Sequence, residues 1–208
     1  LCHLFLSLLT INTSVLHAKS PKAWKFLSEK EGIKLFSQKS SDEMIPFKAV
    51  YIMDVELAKI HSIISNYKEK HLWAPKLKAV KIHKLLARDH YIFSEFYATP
   101  WPAYDRQFLL EGKIYKQADM VIFQAKSVDD KKLIDPSHVL ATIEEITLTL
   151  KRISIKQTQI EFVFRGDMNG WLPNWLKRLI QKKWPYKFIK NLEFKIKDFE
   201  KYENKKGI

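Results

Sequence analysis

The segment 158–180, TQIEFVFRGDMNGWLPNWLKRLI, decides the architecture, because its hydrophobic period changes within Gly170 to Pro173. Before that point Ile160, Phe162 and Phe164 alternate with Gln159, Glu161 and Arg165, the two-residue period of a strand with one apolar and one wet face. After it Leu176, Leu179 and Ile180 recur at helical spacing, and the stripe runs on through Ile189, Leu192, Ile196 and Phe199. Pro173 suits the first turn of a helix, whereas Pro185 stands inside the pattern and predicts a kink or a break into two segments. A strand therefore turns directly into a long C-terminal helix.

Upstream, residues 33–39 and 47–55 read as two strands of a hairpin. In the second, Phe47, Ala49, Tyr51, Met53 and Val55 alternate with Lys48 and Asp54. From Glu56 the period is helical, with Leu57, Ile60, Ile63, Ile64 and Tyr67 on one face, until Pro75 forbids continuation; a break is expected near 69–71. Six strands follow at about 77–86, 91–98, 106–115, 121–128, 139–150 and 158–166, and their short connections predict an antiparallel meander. Within 139–150 the apolar parity slips from Val139, Ala141 and Ile143 to Ile146, Leu148 and Leu150, as one inserted residue at Glu144-Glu145 would make it do. Residues 19–208 carry no linker, repeat or low-complexity stretch and read as one domain. The fold class is α+β, a curved antiparallel sheet wrapped around a long C-terminal helix. Curvature leaves space between them, and an apolar cavity is the usual home of a small hydrophobic ligand.

The composition bounds the chemistry. Lys and Arg number 36 against 23 Asp and Glu, a net charge of +13, so the partner is expected to be anionic, lipid or nucleic acid. The 5 glycines leave little material for a phosphate-cradling loop. The single Cys2 excludes an intramolecular disulfide and a cysteine metal cluster. The 7 histidines form no ligand motif, so no metal and no cofactor is expected. No Ser or Cys has a recognisable base beside it, and no catalytic residue is assigned. Residues 1–18 form an apolar stretch ending at Ala18, read as a signal peptide that sends the protein to the periplasm; an uncleaved N-terminal anchor is the alternative.

Four segments carry a resemblance. They are Trp24 with Gly32-Ile33-Lys34-Leu35-Phe36, then Trp73-Ala74-Pro75, then Trp101-Pro102-Ala103-Tyr104-Asp105-Arg106-Gln107-Phe108, then Gly170-Trp171-Leu172-Pro173-Asn174-Trp175. In this order, with strands between, they resemble the START lipid-binding domains of the helix-grip superfamily, over nearly all of residues 24–202. The resemblance implies non-catalytic binding or transfer of a lipid or sterol-like molecule, with residues 99–104 and the last helix forming the entrance. Gln107 departs from the pattern, because relatives commonly carry Asp after the Arg, and Gly112 stands where some carry another basic residue.

Parity then nominates the site. Arg106 shares a strand face with Phe108, Leu110 and Ile114, so it points inward and needs partners: Glu95, Asp105 or a ligand head group. Phe93, Phe108, Phe162, Phe164, Leu176 and Ile180 are the expected apolar lining. At the entrance Trp101, Trp171 and Trp175, with Lys177, Arg178, Lys182 and Lys183, are expected to meet an anionic membrane surface; Trp184 is a further anchor candidate. The bland account of the same residues is a solvated helix face with tryptophans in the core. The chain is expected to act as a monomer. Two rival readings remain: a helix-grip enzyme acting on a hydrophobic substrate, and a nucleic-acid binder using the basic face.

Overall fold

The computed structural model describes residues 23–39 and 43–206, so the expected signal peptide lies outside the described residues. Ten strands and three α-helices, besides a 3-10 turn at Lys131–Leu133, follow among the described residues in the order β1 (Lys25–Lys30), β2 (Ile33–Ser37), β3 (Phe47–Met53), α1 (Leu57–Ser65), α2 (Lys70–Trp73), β4 (Leu77–Ala87) and β5 (His90–Tyr97). Then come β6 (Arg106–Lys116), β7 (Met120–Ser127), β8 (Val139–Leu140), β9 (Thr142–Ser154), β10 (Gln157–Asp167) and α3 (Asn174–Lys206). One sheet holds every strand, in the order β1-β2-β3-β10-β9-β7-β6-β5-β4, with β8 beside β6. The N-terminal hairpin thus joins the last strand, and the chain closes its sheet before α3 begins.

The antiparallel meander from β4 to β10 is present as the spacing predicts, and so is the bulge. Arg165 lies opposite Glu145 while the next residue, Gly166, lies opposite Ile143, which leaves Glu144 as the extra residue on β9. Three expectations need correction. An unexpected first strand, β1, pairs with β2 through the two-residue turn Glu31-Gly32, both at positive φ (50° and 76°), the turn chemistry that matches hairpin twist. The stretch 139–150 is two strands: β8 pairs with β6 in parallel, so the sheet is not antiparallel throughout. At Pro185 the helix neither ends nor splits; α3 runs unbroken across it, although the proline supplies no N–H to the ladder.

The buried stripe of α3, Leu176, Phe188, Ile189, Leu192 and Ile196, lies against the apolar faces of β2 and β3 and against α1 and α2. Phe199, expected on that stripe, is exposed. Side-chain clamps fix the angle of the helix. The Tyr186 hydroxyl donates to Glu31 at 2.6 Å, Asn191 donates to the Trp73 carbonyl at 2.8 Å, and Gln181 donates to the Pro46 carbonyl at 2.9 Å.

Candidate functional site: a chamber between sheet and helix

Between the concave face of the sheet, α1–α2 and α3 lies a cavity of about 490 Å³. Phe93, Leu110, Phe123, Ala125, Ile146, Leu148 and Phe162 face it from the strands, and Trp184 and Phe188 close it from α3. A residue pair explains how β5 and β6 stay clear of the space: Phe93 packs over Gly112, where any Cβ would stand 2.6 Å from its ring. The chamber reaches solvent between the α1–α2 turn and the β4–β5 hairpin, where its lining includes the exposed Ser65, Tyr67, Leu85, Lys113 and Lys116.

Polar groups also stand on the wall, and several are matched to one another. Glu95, buried on β5, accepts from Lys70 of α2 and from the Tyr97 hydroxyl at 2.6 Å. Burial and then the Glu95 charge hold the Tyr97 phenol well above its ordinary range, so it stays a neutral donor. His61 of α1 lies over Phe123 at 5.9 Å, and its Nε2 has no partner among the described residues. Burial first, then the positive charge of Lys116, lower its pKa, and Asp89 only partly offsets them. The unfolded chain therefore binds this proton more readily than the folded one, so stability falls as pH drops through the ordinary histidine value of 6.5. His61→Gln is expected to flatten that part of the profile of unfolding free energy against pH, and an unchanged slope would remove His61 from the account. Among the described residues no group of three His, Cys, Asp or Glu could hold a metal.

Arg106 is 2% exposed, and none of the carboxylates expected beside it is its partner. Its Nε donates to the Met168 carbonyl at 3.1 Å and Nη2 to the carbonyls of Asn169 at 2.9 Å and Trp171 at 3.3 Å; Nη1 donates to the Tyr104 carbonyl. Asn169 and Gly170, both at positive φ, bend the chain so that these carbonyls converge on one guanidinium. Burial lowers the Arg106 pKa and neighbouring Asp105 raises it. Asp105 itself accepts from the Thr99 N–H at 2.8 Å and pairs with Lys78 at 3.0 Å, while Glu95 is taken by Lys70. Arg106 thus ties β6 to the turn that launches α3. Gln107, on the opposite face, donates to Ser94 and the Leu133 carbonyl and accepts from the Asp135 N–H, each at 2.8 Å. An aspartate there could accept but not donate.

The nominated residues divide into three groups. Phe93, Phe108, Phe162 and Phe164 line the chamber. Leu176 and Ile180 do not; with Arg106 they line a second, apolar pocket of about 90 Å³ beneath residues 99–100. Trp101, Trp171, Trp175, Lys177, Arg178, Lys182 and Lys183 line neither, and the first three are 89%, 65% and 48% exposed. Trp184 is no surface anchor: it stacks on Phe188 at 5.5 Å and donates Nε1–H to the Pro75 carbonyl at 3.1 Å. Sequence reasoning missed Lys70 and His61, whose helical positions carry no parity signal toward a sheet.

Among solved structures, human STARD10 superposes with a TM-score of 0.78 at 16% identity, covering 88% of this chain and 76% of that one. This chain has the START-domain fold. Human StAR-related lipid transfer protein 5 matches with a TM-score of 0.74 at 15% identity over 85% of this chain and 88% of that one. A STAR-related lipid transfer protein from Xanthomonas axonopodis matches at 0.71 and 16% identity over 84% and 98%. No protein-family model matches the sequence, and no curated protein does. The likeness therefore rests on the fold alone, the curved sheet and its closing helix.

Proposed function

We propose that the protein binds a lipid or other hydrophobic molecule in the chamber and exchanges it with membranes without chemically altering it. One observation carries this reading: a space of about 490 Å³ on the concave face, walled mainly by aromatic and aliphatic side chains and open at one end. Filling it with an apolar guest removes apolar surface from water, the driving force such a site uses. The lipid-transfer names of two solved structures with the same fold support the choice of ligand. Lys70 and Tyr97 both donate to Glu95, so its carboxylate is already engaged, which favours a carrier over an enzyme.

The basic start of α3 supports a transient docking surface for an anionic bilayer, with Trp101, Trp171 and Trp175 entering the head-group layer beside the smaller pocket and not at the chamber's opening. The apolar stretch at residues 1–18, read as a signal peptide, supports action in the periplasm. At ~1 kcal/mol per basic residue, replacing Lys182 and Lys183 by Gln is expected to weaken partitioning onto anionic vesicles roughly 30-fold at low salt. Sedimentation with vesicles of phosphatidylglycerol and phosphatidylcholine measures it, and equal partitioning of variant and parent would remove this surface from the proposal. The deciding experiment for the ligand is mass spectrometry of solvent extracts from protein purified from its own host. A lipid near one per chain is expected; no lipid, with no uptake from liposomes, would end the carrier reading.

A further inference from the structure

The chamber and the smaller pocket meet at one aromatic wall. Tyr97, Phe108, Phe164 and Trp184 line both. With Phe47 their rings close a circuit, with centroids 4.8 Å apart from Tyr97 to Phe108, 6.2 Å on to Phe164, 5.0 Å to Phe47, 5.9 Å to Trp184 and 6.1 Å back to Tyr97. We infer that this collar is the end-stop of the chamber and that Trp184 sets how long an apolar chain the protein accepts.

Four members of the collar are fixed by the sheet. Phe47, Phe108 and Phe164 are buried on β3, β6 and β10, within backbone ladders, and Tyr97 is tethered through its hydroxyl to Glu95. Trp184 differs in standing on α3, partly buried, with one hydrogen bond to the Pro75 carbonyl. It is the one collar residue that stands on the helix, so truncating it alters no side chain of the sheet and opens the chamber into the pocket behind. The inference rests on the chamber being the ligand site.

Volume gives the expected size of the effect. A methylene takes up about as much space as a water molecule, ~30 Å³, so the 490 Å³ chamber holds about sixteen chain atoms and the 90 Å³ pocket adds about three. A single acyl chain or a compact ring system fits a chamber of that volume. The probes of choice are saturated fatty alcohols, since their uncharged heads add no unbalanced charge beside the buried Lys70 and Glu95 pair.

The test is displacement of Nile red by a series of saturated fatty alcohols from the parent protein, Trp184→Ala and Trp184→Phe, with circular dichroism to verify folding. For the parent, affinity is expected to rise with length and break off near the length the chamber holds. Trp184→Ala is expected to move the break outward by at least about three carbons, the content of the added pocket at ~30 Å³ each, with the space vacated by the indole adding to it. Trp184→Phe should move it less, in the same direction. If the parent binds neither dye nor alcohols, the ligand reading itself falls. If the parent binds but shows no break, or if folded Trp184→Ala keeps the parental break, the end-stop assignment is overturned. Should Trp184→Ala fail to fold, an unmoved break in Trp184→Phe overturns it equally.

Discussion

Replacing Arg106 by Met lowers the unfolding free energy by ~3–5 kcal/mol, because four carbonyls lose their donor at ~1 kcal/mol each, the low end of the range since three of the four hydrogen bonds are only part-buried. The apolar substitute keeps most of the volume, so the loss measures the hydrogen bonds and not a cavity. Arg106→Lys recovers only part of it, since one ammonium has three donors and no planar fork to span carbonyls from two loops. Urea titrations of parent and variants give the difference directly. A loss under about 1 kcal/mol, no more than one ordinary hydrogen bond, would mean that the turn at Asn169 and Gly170 holds its shape without Arg106.

The second large effect concerns binding and leaves the fold alone. Ala125 on β7 faces the chamber, so Ala125→Trp places an indole in space that a guest would occupy. Retained lipid, measured by mass spectrometry, is expected to fall by about 100-fold or more, equivalent to ~2.7 kcal/mol or more of lost affinity. The urea midpoint should stay level or rise, since a void filled without strain adds apolar contact. Unchanged lipid content in a folded Ala125→Trp protein would move the ligand site elsewhere. Falling stability together with lost lipid would indicate instead that the wall collapses around the larger ring.

The two variants separate what the sequence makes visible from what it hides. Arg106 is legible as an anomaly, a charge on the apolar face of a strand, and its need for partners follows from charge burial. Its partners are not legible, because backbone carbonyls from residues 104 and 168–171 have no side-chain signature, and carboxylates are the natural guess. The chamber lining on β5, β6 and β10 is legible from parity. The second pocket is not: Leu176 and Ile180 sit on the inward stripe of α3, but sequence cannot say that a ring of aromatics from four strands divides the space beneath that stripe.

The sequence by itself determined the order of elements from β2 onward, apart from the separation of β8 from β9, with the meander, the bulge at Glu144 and the closing helix, because each is written in a local period of two or 3.6 residues or in the slip between two such runs. Only the tertiary structure decided where the void opens, which wall stops it and what Arg106 holds. Those properties depend on how side chains distant in sequence meet across a curved sheet, and curvature sums small twists over ten strands that no single segment encodes.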